Sequence, residues 1–79
     1  MNSAIVAITN DIGTEGKVME ALCQMPAVRE CYMVYGVYDI LAKVQASSEE
    51  EMSAAIHSIR DLKGVRSTLT LVVCEEHKK

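Results

Sequence analysis

Tyr35-Gly36-Val37-Tyr38-Asp39 concentrates more usable chemistry than any other part of this chain. Within five residues it offers one carboxylate, two phenols and one glycine. Backbone N–H groups beside a glycine can approach an anion closely, because no side chain stands in the way. Tyrosines supply apolar walls with a polar tip. A second set, Ser67, Thr68 and Thr70, supplies hydroxyls that can donate or accept. Neither set suggests catalysis. No base is paired with a nucleophile, and no histidine lies near Asp39 in sequence. The expected catalytic residues, metal ligands and cofactors are therefore none.

Each of these residues also has a plainer role. Asp39 could cap a hairpin or pair with a lysine or arginine across an interface. Gly36 is needed for turn geometry whether or not a ligand binds. Thr68 and Thr70 are good strand formers. Tyr32, Tyr35 and Tyr38 fit interface packing. His57 belongs to a solvated helix face, and His77 to a charged tail. Cys23, Cys31 and Cys74 are odd in number and contain no CxxC pair. They suggest neither a disulfide framework nor a zinc site, and are read as small buried hydrophobes in a reduced, cytoplasmic setting.

The elements that must position these residues follow from periodicity. Ser3 to Thr9 is a short apolar, β-branched run closed by Asn10-Asp11-Ile12-Gly13, and predicts a strand buried on both faces. Val18, Ala21, Leu22 and Met25 recur at helical spacing, with Thr14 as N-cap and Pro26 as terminator. Val28 to Tyr35 and Tyr38 to Ala46 read as strands joined by a hairpin at Gly36. Ser47 with Glu50, or Ser48 with Glu51, forms a capping box. It opens a second helix striped by Met52, Ala55, Ile56, Ile59 and Leu62 and closed by Gly64 at C′. Ser67 to Cys74 is the last strand. This order, β-α-β-β-α-β, predicts an α+β, ferredoxin-like fold with a four-stranded antiparallel sheet and both helices on one face. The other face is expected to carry Ile5, Val34 and Val72. Such an uncovered apolar face invites a second copy, sheet to sheet.

Composition agrees. The 79 residues allow one domain, expected to span 1–79. Apolar residues make up 49%, with no Trp or Phe, so the core must be aliphatic. A net charge of −3 without a basic cluster argues against direct nucleic-acid binding. No stretch suggests a signal peptide or a membrane span.

Gly36-Val37-Tyr38-Asp39 between the central strands and Gly64-Val65-Arg66-Ser67-Thr68-Leu69-Thr70 entering the last one resemble two motifs of the C-terminal effector (RAM) domain of the Lrp/AsnC transcription regulators. The pair, in order on this pattern, covers roughly Ala4 to Cys74. The chain resembles a stand-alone version, without the helix-turn-helix domain that regulators carry. The resemblance implies dimers joined into larger rings, commonly tetramers of dimers, with amino-acid effectors between dimers. It implies ligand contacts at Tyr35, Gly36, Val37, Tyr38, Asp39, Ser67, Thr68 and Thr70. Asp39 would meet the ligand ammonium, while the loop and the threonines hold its carboxylate. Co-assembly with full-length regulators would follow from shared interfaces. A purely structural oligomerisation module and a dimeric ferredoxin-like barrel enzyme remain the alternatives.

Overall fold

The chain forms β1 (Asn2–Asn10), α1 (Glu15–Cys23), β2 (Val28–Met33), β3 (Ile40–Ala46), α2 (Glu49–Arg60) and β4 (Val65–Val72). The computed structural model describes residues 2–79. All strand pairs are antiparallel, in the order β2-β3-β1-β4, which is the ferredoxin-like arrangement.

Register sorts the sheet into rows. Met33–Ile40–Ile8–Thr68, Cys31–Ala42–Val6–Thr70 and Val28–Val44–Ala4–Val72 lie on one face. There Ile8, Ile40, Val6 and Val44 are buried with Val18 and Leu22 of α1 and Met52, Ala55 and Ile59 of α2. Each such large aliphatic residue contributes about 2 kcal/mol on burial, which holds both helices to this side. The alternate rows, Tyr32–Leu41–Ala7–Leu69 and Glu30–Lys43–Ile5–Leu71, form the open face. Val72 is therefore not on the open face, as expected from sequence, but opposite Ala4 on the helix side. Leu69 and Leu71 take its place beside Ile5.

Local signals account for the helix ends. Ser48 Oγ accepts from the Glu51 N–H at 3.1 Å, and Glu51 Oε2 accepts from the Ser47 N–H at 3.1 Å and the Ser47 hydroxyl at 2.6 Å. One glutamate thus ties both serines to the first turn of α2. Thr14 occupies the N-cap position of α1, but its side chain does not cap; it donates to the Asp11 carbonyl at 2.6 Å. The C-cap of α2 is Asp61, so Gly64 is not its C′ residue. Gly64 instead serves the following turn, closed by Val65 N–H to Leu62 O at 3.2 Å, with φ +99°. A Cβ there would lie 2.9 Å from the Thr14 side chain. The cysteines also depart from expectation: Cys23 and Cys74 are exposed and only Cys31 is partly buried.

Candidate functional site

Three connections gather at one end of the sheet, around the last residues of β1. The loop 34–39 joins β2 to β3, the segment 11–14 leads into α1, and the turn 61–64 leads into β4. The first is longer than the tight hairpin expected from sequence, because β2 stops at Met33 and β3 starts at Ile40. Beyond the Met33–Ile40 pair a single bond, Val34 N–H to Asp39 O at 2.9 Å, closes the loop. Tyr35 and Val37 project fully into solvent, and Gly36 adopts φ +148° with open space where a Cβ would be. Tyr38 and Asp39 are partly buried at the loop's base.

Asp39 is held on both backbone and side chain. Its N–H donates to Ile8 O at 2.9 Å, and its Oδ2 accepts from the Asn10 N–H at 3.0 Å. It thus extends the β1–β3 pairing past the ladder and fixes a carboxylate against the end of β1. Asn10 is only 4% exposed. Its Nδ2 donates to Asp11 O at 3.1 Å and Thr14 Oγ1 at 3.2 Å, while its Oδ1 is buried without a partner among the described residues. Asp11 N–H donates to Gly64 O at 2.7 Å, which ties this corner to the turn before β4.

The second polar set splits. Ser67 lies opposite Thr9, exposed. Thr68 and Thr70 lie opposite Ile8 and Val6, on the helix face. The Arg60 Nε of α2 donates to Thr68 Oγ1 at 3.2 Å, whereas Thr70 Oγ1 is buried and unpartnered among the described residues. Arg60, Val65, Arg66, Ser67 and Thr68 line a shallow depression of about 300 Å³. Arg66 also reaches Asp11, Nε to Oδ1 at 3.7 Å. The fold therefore brings Asp39 and Ser67 to the two sides of the same strand end. It does not bring Thr70 there, and Tyr35 and Val37 point away. Sequence reasoning missed Arg60, Arg66 and Asn10. Arg60 fitted a helix C-terminus, and Asn10 fitted a turn, so each had a sufficient local explanation. The signal for the arginines was their placement on both sides of the Gly64 turn.

A larger hollow of about 670 Å³ lies at the opposite end of the sheet, between the α1–β2 connection and α2. Met25, Ala27, Gln45, Ala46 and Ala55 line it, and none of the residues expected at the ligand site does. His57 is exposed on α2 and His77 pairs with Glu75 of the tail. Among the described residues, no three of His, Cys, Asp and Glu cluster as metal ligands would. No described helix is long and apolar enough to cross a membrane.

The model of the Lrp/AsnC ligand binding domain matches residues 3–79. The chain belongs to this family. The family is described as a ligand binding domain. Among relatives, homocitrate synthase of Saccharolobus solfataricus is 46% identical over 59 residues, which are 75% of this chain but 13% of the synthase. The helix-turn-helix-type transcriptional regulator PF0250 of Pyrococcus furiosus is 40% identical over 60 residues, covering 75% of this chain and 40% of the regulator. The chain thus spans well under half the length of these relatives. TTHA0845 of Thermus thermophilus, of known structure, is 31% identical, with each chain covered in full and a TM-score of 0.91.

Proposed function

We propose that this Lrp/AsnC domain is a self-assembling sensor of a small zwitterion, most simply an amino acid. One observation carries the reading: a fixed carboxylate, Asp39, and a depression bearing two guanidinium groups, Arg60 and Arg66, flank the same end of β1. An amino acid's ammonium requires the first and its carboxylate the second. Backbone around Gly36 and the hydroxyls of Ser67 and Thr68 would add donors. The tip of the loop, Tyr35 to Val37, stands free of its own chain, so a neighbouring copy would close the site. Ligand binding would then favour assembly, because only the assembled state contains the complete site.

The relatives support a module with interchangeable outputs, since similar segments occur within a homocitrate synthase and within a helix-turn-helix-type transcriptional regulator. Co-assembly with full-length regulators, in the cytoplasm and through the same interfaces, fits this reading.

Isothermal titration against the twenty amino acids tests it. One or a few should bind, and Asp39→Ala should abolish the binding while leaving the circular dichroism spectrum unchanged. Heat from no amino acid, or undiminished binding by Asp39→Ala, would overturn the assignment and favour a purely structural oligomerisation module.

A further inference from the structure

Cys23 and Cys31 lie eight positions apart in sequence, and the fold brings their sulfurs to 3.7 Å. Cys23 is the last residue of α1. Cys31 lies in β2 opposite Ala42, hence on the face that α1 covers. The pair spans the seam between a helix end and the edge strand of the sheet. Cys74 follows β4, on the opposite edge, and is remote from both. We infer that Cys23 and Cys31 form a reversible dithiol–disulfide pair, an oxidative modification site that staples α1 to β2.

Three observations support this. The first is geometric: a disulfide needs the sulfurs at about 2.05 Å, and these are already in contact at 3.7 Å, so the two side chains meet across the seam and the bond asks only for a local movement. Cys23 is followed directly by the cap residue Gln24 and a turn through Met25 and Pro26, so the movement falls on a helix terminus and not on its middle. The second is access: Cys23 is exposed and can meet an oxidant, whereas Cys31 is partly buried behind it. The third is chemical. Burial, and then the neighbouring Cys23, push the Cys31 thiol above its ordinary value, which suits a resolving thiol that waits protonated.

The oxidant is a low-molecular-weight disulfide such as oxidised glutathione. The Cys23 thiolate attacks one of its sulfurs, forming a mixed disulfide and expelling one glutathione thiolate. Cys31 then gives up its proton to solvent and attacks the Cys23 sulfur, expelling the second glutathione thiolate. The protein loses two electrons and two protons, and the small disulfide gains them. The oxidised form would pin β2, the strand that runs into the loop 34–39. This inference does not depend on the zwitterion reading.

The test is incubation of the full chain and of its Cys74→Ser variant with oxidised glutathione, followed by mass spectrometry without reductant. The intact mass should fall by two hydrogens. Trypsin, cutting after Lys17, Arg29 and Lys43, should release peptides 18–29 and 30–43 joined by a disulfide. Melting temperature should rise by about 5–15 °C for so short a closed loop in so small a domain and return on adding dithiothreitol. Cys23→Ser and Cys31→Ser should show neither the linked peptides nor the rise. If Cys74→Ser keeps both thiols free, holds glutathione as a stable adduct, or links only between chains, the inference fails.

Discussion

Thr70 shows how a single residue can satisfy a motif and still leave an account open. Its neighbours in the row are Val6, Ala42 and Cys31, and its hydroxyl is buried with no partner among the described residues. A buried hydroxyl without a hydrogen bond costs about 1–3 kcal/mol. Replacing it with a methyl of similar shape removes that cost, so Thr70→Val should stabilise the free protein by about 1 kcal/mol, or about 4–8 °C in melting temperature. A variant less stable than the parent would show that the hydroxyl has a partner in solution. Measuring the thermal shift with whichever amino acid titration identifies as a ligand, in the same variant, separates the two roles considered for this threonine. Loss of that shift places the hydroxyl in the site, and its retention leaves Thr70 as strand structure. Sequence could not decide between them, since a threonine suits a strand whichever face it occupies. Asp39 was more legible. Its place at the start of a strand beside a glycine loop foretold a fixed carboxylate at a corner. Its hold on the Asn10 N–H was not foreseeable, because that bond spans 29 residues.

At the scale of elements, sequence was most informative where the physics is local. The start of α2 is such a place: Ser47, Ser48 and Glu51 lie within five residues and settle one another's hydrogen bonds. The loop 34–39 was less legible, because β-branched and aromatic residues around Gly36 read as strand although β3 offers no partner beyond Ile40. The α2 cap has a pH signature. The Ser47 hydroxyl first, and the Ser47 N–H second, hold the Glu51 carboxyl below its ordinary value, against a small opposing effect of desolvation. A carboxyl lowered in the folded state stabilises the fold fully above its unfolded value of about 4.3. That contribution fades as pH falls through the lower, folded value. Ser47→Ala removes the larger cause, so the Glu51 pKa, followed by NMR, should move up toward the ordinary glutamate range. The variant should be less stable than the parent at neutral pH, and the gap should narrow below about pH 4. A Glu51 titration curve unmoved by the substitution would contradict this account of the cap.

For the whole molecule, the informative fact is which residues β4 turns outward. Its alternation was plain in the sequence, but the side that faces the helices was not, because Thr68-Leu69-Thr70-Leu71 can be placed either way up and only the pairing with β1 decides. The structure sets Thr68 and Thr70 toward the helices and leaves Leu69 44% and Leu71 53% exposed on the open face, beside Tyr32 at 52%. A sheet meant to stand alone would be more stable with the leucines under the helices. The inversion is what a second copy on the open face would require, packed over the leucines and Tyr32, while Lys43 in the adjoining row is held within its own chain by Glu76, Nζ to Oε2 at 3.2 Å. The residue to test is therefore Leu71 and not Val72, which lies opposite Ala4 on the other side. Leu71→Asp would bury one carboxylate per copy in an apolar contact, at a cost of about 2–3 kcal/mol each. Summed over a symmetric pair, about 4–6 kcal/mol weakens a dimer by roughly a thousandfold or more. Size-exclusion chromatography with light scattering should then find Leu71→Asp monomeric at micromolar concentration, with Val72→Asp still associated. If Leu71→Asp keeps the mass of the parent assembly, the open face is not the contact. The leucines of β4 would then need another explanation.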